Sequence, residues 1–229
     1  MNILTEFAQR APDSPSTTAQ QLIWANDGAL NIARKLELLP TSGSINLVSG
    51  TQSYDLISNF STFLKLDLNG GIHFYNGSDY SKLPIVTEDW LDTYVADWRN
   101  ATNTDPTCCY KKGKDIFLYP TPGANYTNGL KVYYFAKPTA MTADGDDPFS
   151  DRTDLEDLHE GVVLFMLWKA KQALGEYLQA REAKAEYMQF LSDSSVWINK
   201  DEGVQDGIFR PYYKETFSST FNPVNWGID

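Results

Sequence analysis

The sequence has few of the side chains that most often perform catalysis or bind metal ions. It contains two cysteines and two histidines in 229 residues. Cys108 and Cys109 are adjacent, which matches neither a C-x-x-C pair nor a zinc-ligand pattern, and neither His73 nor His159 belongs to an H-E-x-x-H motif. Because successive strand side chains point to opposite faces, we expect two reduced cysteines, one facing the interior and one facing outward. No cofactor and no metal ion is expected.

Basic residues and long apolar runs are also scarce. Nineteen Lys and Arg stand against 30 Asp and Glu, which gives a net charge of −11. Neutralising DNA phosphates requires basic side chains, so this charge disfavours a non-specific grip on nucleic acid. No apolar run approaches the roughly 20 residues of a membrane span, and the first 15 residues lack the features of a secretion signal. A soluble protein made in a cytoplasm is expected.

Apolar material for a core is abundant, because 42% of the residues are hydrophobic and 14% are aromatic. A chain of this length should bury roughly 70% of its unfolded surface, so a wholly disordered chain is excluded. The length fits one large domain or two small ones.

Helical patterns occur near both ends of the chain. After a polar N-terminal segment over 1–16, Thr17 and Gln20 form a capping box that predicts a helix over 17–38. A second capping box at Thr153 and Glu156 predicts a helix over 153–173, and the pattern resumes over 176–197 beyond Gly175. We expect these helices to pack through seven apolar side chains: Leu22, Ile23, Leu30, Leu158, Val162, Phe165 and Met188.

The segment over 42–138 reads as short strands separated by turns. Its turns are predicted at 69–71, 112–114 and 128–129, and a short helix at 88–100. The predicted fold class is therefore α+β, a small helical bundle (17–41 and 139–198) with an inserted β-rich domain (42–138) and an extended C-terminal arm (199–229).

Eight carboxylates crowd residues 144–160, which suggests a calcium site. However, an EF-hand loop starting at Asp144 would need Gly and Glu where Phe149 and Leu155 stand. Acidic side chains are favoured at the first turn of a helix, so we interpret this stretch as a solvated loop followed by a helix start.

The C-terminal arm has no helical or strand period, yet it is rich in aromatic residues, unlike a disordered linker. It either packs on its own domain or docks on a partner. Its candidate anchors are Phe209, Tyr212, Tyr213, Phe217, Phe221 and Trp226.

Nucleotide and hydrolase motifs are missing, since neither G-x-G-x-x-G nor G-x-S-x-G occurs. Two other classes of function stay open. A carbohydrate-binding or other binding module would use the aromatic β region as its binding face, and a small hydrolase would need two close carboxylates in a cleft.

Several short stretches occur in a characteristic order: GTQSYDL at 50–56, LPIVTED at 83–89, DIFLYPTP at 115–122, VYY at 132–134 with KP at 137–138, and DDPF at 146–149 before a helix with DLH at 157–159. Over about 17–195 this series resembles the head-to-tail adaptor, or connector, proteins of tailed bacteriophages. The acidic loop over 141–151 and the aromatic arm depart from that pattern.

The resemblance implies a structural virion protein rather than an enzyme. Members of this family have a small helical bundle with a β-rich insertion, and they assemble as a ring, usually of twelve copies, that extends the DNA channel from the portal toward the tail. The expected partners are copies of itself, the portal protein and tail or nozzle proteins. DNA would pass without specific binding and no membrane is implied. The expected location is the virion neck, after assembly in the host bacterial cytoplasm.

Overall fold

The helices of the chain lie mainly before residue 40 and after residue 155. The computed structural model describes residues 2–103, 105–150 and 155–201, and these have the predicted α+β class. Their helices are α1 (Ile3–Arg10), α2 (Thr18–Leu36), α3 (Leu56–Asn59), α4 (Glu88–Tyr94), α5 (Leu158–Ala173) and α6 (Tyr177–Asp201), with a 3₁₀ helix at Trp98–Asn100.

The predicted start of α2 is confirmed. The hydroxyl of Thr17 accepts a hydrogen bond from the backbone N–H of Gln20 at 3.3 Å, which satisfies one of the free N–H groups of the first turn. Helix α1, in contrast, was not predicted, because the segment over 1–16 is polar and contains two prolines. Its Ile3, Leu4 and Phe7 are buried in the helical core.

The second capping box does not start its helix. Helix α5 begins at Leu158 rather than at residue 153, Asp157 makes no side-chain capping bond, and Thr153 lies outside the described residues. The chain enters α5 through a tight turn that buries Leu155 in the core. Gly175, with a φ of 76°, separates α5 from α6, so the C-terminal segment forms two helices.

The strands are β1 (Pro40–Leu47), β2 (Ser53–Asp55), β3 (Phe63–Leu66), β4 (Ile72–Tyr75), β5 (Tyr80–Leu83), β6 (Ile85–Val86), β7 (Thr102–Asn103), β8 (Cys108–Lys112), β9 (Asp115–Tyr119), β10 (Thr121–Pro122) and β11 (Tyr126–Ala136). One sheet has the order β1-β11-β4-β5, with β3 also paired to β11. A second has the order β2-β9-β8-β6, and β7 pairs with β10. The long strand β11 therefore connects three partners of the first sheet.

Two local predictions in the strand region need correction. Asn128 and Gly129 do not form a turn but lie inside β11, where the pairing with β1 shifts register and Asn128 has a φ of 54°. The two cysteines do point to opposite faces of their sheet, yet neither faces solvent. Cys109 lies in the core between the sheets, and Cys108 is covered by Leu91 of α4 and by Trp98.

The predicted helix over 88–100 is interrupted. Helix α4 ends at Tyr94, and a separate 3₁₀ turn follows from Trp98. Asp97 between them has a φ of 56°, a left-handed conformation that a continuous α-helix does not contain.

Helices α1, α2, α5 and α6 share one core, and the strands share another. Leu158, Val162 and Phe165 are buried in the helical core as predicted. Leu22 is partly buried against this core, whereas Leu30 lies outside it and Ile23 and Met188 are 54% and 50% exposed. The prediction of Leu30, Ile23 and Met188 as core residues was therefore wrong.

Small residues explain why a different face of α2 is buried. Ala25, Gly28, Ala29 and Ala33 are buried in the helical core, and Gly28 lies against Phe165 of α5, so the two helices approach closely there. A Cβ atom built on Gly28 would lie 3.1 Å from the ring of Phe165. The buried face of α2 is therefore the one with small residues, which allow a close approach of the backbones, and not the one with the large apolar side chains Ile23 and Leu30.

Gly161 of α5 provides a test of this close packing. A methyl group there would collide with the ring of Phe190 and contact Ile32. We expect Gly161→Ala to lower the free energy of unfolding by about 1–3 kcal/mol in urea titrations, because overpacking a filled site costs more than the gain in helix propensity. In a Phe190→Ala background the same change should cost less. A Gly161→Ala protein that is more stable than the wild type would contradict the close packing.

Candidate interaction site

The described residues offer little for covalent or metal chemistry. Among residues 2–103, 105–150 and 155–201, no group of three or more His, Cys, Asp or Glu side chains is placed to hold a metal ion. Burial raises the pKa of Cys108 to about 11 and that of Cys109 to about 12. Both thiols are therefore protonated at neutral pH and are poor nucleophiles.

The acidic loop over 141–150 connects helices by hydrogen bonds, and we call it the fastener loop. The carboxylate of Asp144 accepts hydrogen bonds from the backbone N–H groups of Leu4 at 2.8 Å and Thr5 at 3.2 Å, and from the Thr5 hydroxyl at 2.5 Å. A side chain 140 residues away in sequence thus satisfies free N–H groups in the first turn of α1. Its negative charge also lies at the favourable end of the helix dipole.

The other carboxylates of this loop are also bound to protein groups. Asp146 accepts bonds from the backbone N–H groups of Thr142 and Ala143 and from the Thr142 hydroxyl, and these bonds lower the pKa of Asp146. Asp147 accepts the Phe149 N–H at 2.7 Å and pairs with the buried ring of His159 at 2.8 Å. The prediction of a merely solvated loop was therefore wrong.

Two further contacts attach this region to its neighbours. The side-chain amide of Asn26 in α2 exchanges two hydrogen bonds with the backbone of Met141, at 3.0 and 2.7 Å. Arg10 at the end of α1 makes a two-pronged contact with Glu160 of α5, at 2.5 and 2.9 Å, and the bonds raise the pKa of Arg10. The loop and α1 are thus tied to both α2 and α5.

An open groove lies where the helices meet the first sheet. It has a volume of about 640 Å³, and Leu39, Thr62, Lys137 and Pro138 contribute to its wall. The backbone N–H of Lys137 donates to the carbonyl of Thr62 at 2.7 Å. The groove brings no pair of carboxylates together in its lining, so it does not resemble the cleft that a hydrolase would require.

The six predicted anchor residues of the C-terminal arm all lie outside the described residues: Phe209, Tyr212, Tyr213, Phe217, Phe221 and Trp226. Helix α6 extends to Asp201, so residues 199–201, which the sequence assigned to the arm, are helical and that boundary was wrong. Ile198, one turn before the end of α6, is 8% exposed and belongs to the helical core. The arm is therefore attached to a helix whose last turn is anchored.

The described surface carries many exposed apolar side chains, most of which spacing patterns did not mark. Those of the helical region are Ile23, Leu174, Tyr177, Leu178, Met188 and Val196, and those of the strand region are Val48, Ile57, Leu68, Tyr80 and Tyr94. Single exposed apolar residues are normal on proteins. Four of those in the helical region, Tyr177, Leu178, Met188 and Val196, lie on α6.

The family model of the SU10 adaptor protein matches residues 2–204. The chain belongs to the SU10 adaptor protein family. This is a phage head–tail adaptor family, so the resemblance drawn from the ordered sequence stretches is confirmed. None of the curated proteins compared with the chain matches it.

Membership of the SU10 adaptor family identifies the chain as a phage structural adaptor and a component of the virion. An adaptor interacts with other head and tail proteins of the phage. No helix in the described part of this adaptor is both long and apolar enough to cross a membrane. The match extends from α1 to the end of α6, so it includes the fastener loop and stops near the start of the arm.

The fastener can be tested by removing its central carboxylate. Asp144→Ala leaves the first N–H groups of α1 without acceptors, so we expect a loss of about 1 kcal/mol in unfolding free energy, as for other helix caps. Hydrogen exchange at Leu4 and Thr5 should become faster while exchange in α5 is unchanged. Asp79→Ala, which removes an exposed carboxylate between β4 and β5, is the control. Equal exchange rates in α1 for the wild type and Asp144→Ala would refute the capping role.

Proposed function

We propose that this adaptor forms a closed ring that joins the portal of a phage capsid to its tail and continues the DNA channel. The observation that carries the proposal is the family match, which spans nearly every described residue. Twelve copies, the number usual for the resembling connector proteins, is the proposed stoichiometry. The ring would form the neck of the virion after assembly in the host bacterial cytoplasm.

The charge of the chain supports a role as a channel wall. A net charge of −11 repels phosphate groups, whereas a basic surface would bind DNA through release of counterions. DNA in transit should therefore slide through such a ring without being held. The proposed role is structural and involves no enzymatic activity.

We also propose that each subunit consists of two domains. The helical segments over 17–41 and 139–198 would form a bundle, and the residues over 42–138 would form a β-rich domain inserted into it. The separate cores of helices and strands support this division. The segments over 1–16 and 199–229 would complete the subunit, although α1 already packs into the helical core.

The arm over 199–229 is proposed as the contact with the portal or with a neighbouring subunit. Tyr, Trp and Phe side chains are enriched where interfaces are buried, and six of these residues lie in a stretch without a helical or strand period. Phe209, Tyr212, Tyr213 and Trp226 are the proposed main anchors. The buried Ile198 supports this role, because an anchored last turn gives the arm a fixed origin.

Ring formation is tested by imaging the purified protein in negative stain, alone and with its portal protein. We expect closed rings of uniform diameter, and we expect them to stack coaxially on the portal. A chain that stays monomeric under both conditions would contradict the ring. It would favour the alternative function, a carbohydrate-binding or other tail-associated binding module.

The role of the arm is tested by deleting residues 202–229, a cut that leaves Ile198 and the whole of α6 in place. We expect the melting temperature of the monomer to be nearly unchanged. Binding to the portal or to neighbouring subunits should weaken, since losing a buried aromatic anchor typically costs about 2 kcal/mol or more. The full-length variant with Phe209, Tyr212, Tyr213 and Trp226 replaced by Ala is the matched control for chain length. Unfolding of the truncated monomer would show that the arm belongs to its own core.

A further inference from the structure

Helix α6 carries a second apolar stripe on the side that faces away from the core. Its buried residues are spaced at helical intervals and include Ala180, Tyr187 and Leu191. Leu178, Ala185 and Val196 lie on the opposite side, which also carries the polar Gln189 and Ser192, and Met188 lies at its edge. Leu178 is 80% exposed. A surface helix usually pairs one apolar stripe with a polar face, so the outer stripe of α6 is unusual.

Helix α2 also has apolar residues on its outer side. Ile23 and Leu30, which spacing alone placed in the core, lie two turns apart and outside it. Asp27 and Arg34 complete the same outer face, and both are exposed. The inner face of α2 is already filled by its contact with α5. Ile23 is 54% exposed and Leu30 is half-buried, so the outer face of α2 offers apolar surface to another molecule.

Both outer stripes carry exposed charged side chains. Asp27 of α2 and Arg181 of α6 are exposed, and within the described ranges neither forms an ion pair. Arg181 borders one side of the stripe on α6, and Glu182 borders the other. Each surface thus combines exposed apolar side chains with charges of both signs, Asp27 and Arg34 on α2 and Arg181 and Glu182 on α6.

The direction of the helices decides how two such stripes can meet. Gly28 and Ile32 of α2 contact Phe165 and Gly161 of α5, respectively, so α2 and α5 are antiparallel. Phe165 packs on Tyr187 of α6 while Gly161 lies beside Phe190, so α5 and α6 are antiparallel too. Helices α2 and α6 therefore run parallel to each other.

We propose that the outer stripe of α6 in one copy binds the outer stripe of α2 in the next copy. The inference rests on the proposed ring and names its subunit contact. The proposal places the ring axis along these helices. Rotation about such an axis keeps the direction of the helices, so α2 and α6 also meet as parallel helices across the boundary. The contact joins two different surfaces, which is the type of interface that closes into rings.

A parallel alignment matches the stripes in both shape and charge. When Ile23 lies opposite Leu178, Leu30 lies opposite Ala185, because each is two turns further along its helix. Asp27 then lies on the same side of the contact as Arg181, and Glu182 lies on the other side. The apolar pairs would form the centre of the interface, and the Asp27–Arg181 pair would fix its register.

A charge exchange tests this contact on the full-length chain. Asp27→Lys and Arg181→Glu should each weaken self-association by about tenfold or more in sedimentation velocity, because each places like charges together. The double variant should recover most of the loss. Asp79→Lys, which makes the same change of charge on the strand region, should leave association unchanged. All four variants alter exposed side chains, and their melting temperatures verify that they fold.

The other outcomes separate this inference from the ring itself. Single variants that assemble like the wild type would show that the contact lies elsewhere, while the ring would stand. A double variant as weak as the singles would overturn the proposed register. A wild-type chain without any self-association would overturn both the ring and this contact.

Cysteine cross-linking identifies what covers the stripe on α6. Mixing full-length Ile23→Cys with full-length Leu178→Cys under mild oxidation should give a disulfide between two chains, and neither variant alone should do so. The native Cys108 and Cys109 are buried, and the wild type controls for them. Cross-linking of Leu178→Cys to itself would indicate a two-fold contact instead. A third outcome would point to the arm. If no cross-link forms, and if deleting residues 202–229 makes the backbone amides of α6 exchange faster, the arm of the same chain covers the stripe.

Discussion

The close contact of α5 with its two neighbours is the constraint on which the helical part of this adaptor depends. Gly28 of α2 and Gly161 of α5 lie where a Cβ atom would meet aromatic rings. Their lack of a side chain lets Phe165 and Phe190 fill the spaces between the helices. Protein interiors are packed as densely as organic crystals, so these two positions tolerate little change in volume.

The fastener loop completes the helical part by polar contacts rather than by apolar area. Helix α1 has eight residues, too few for stability in isolation. Its apolar residues enter the core that α2 and α5 form, and Asp144 satisfies its first N–H groups. Asn26 holds the same loop through the backbone of Met141. Buried or half-buried polar groups of this kind are costly unless bonded, so each contact also fixes the path of the chain.

Local sequence signals located some element boundaries correctly and missed others, such as the start of α5. The cap at Thr17 and the break at Gly175 were predicted because a helix end depends on nearby residues. The buried face of α2 was not predicted, since Ile23 and Leu30 follow a helical spacing as well as Ala25 and Ile32 do. Only the presence of α5 decides between these faces. The partner of Asp144 lies 140 residues away, and no local pattern marks it. Likewise, the burial of Cys108 depends on α4 and Trp98, which cover a face that alternation alone left open.

The chain enters the first sheet through β1 and leaves it through β11, and these two strands are paired with each other. Pro40 pairs with Phe135, and the backbone N–H of Ala136 donates to the carbonyl of Leu39 at 3.0 Å. The whole stretch between these positions therefore begins and ends at one point of the subunit. A tight turn of a few residues could join Leu39 to Ala136 without moving α2 or α5. Such an attachment leaves the segment between Pro40 and Phe135 free to differ in length or shape without separating its two ends, provided that the contacts of Leu64 and Ala136 with the helical core are kept.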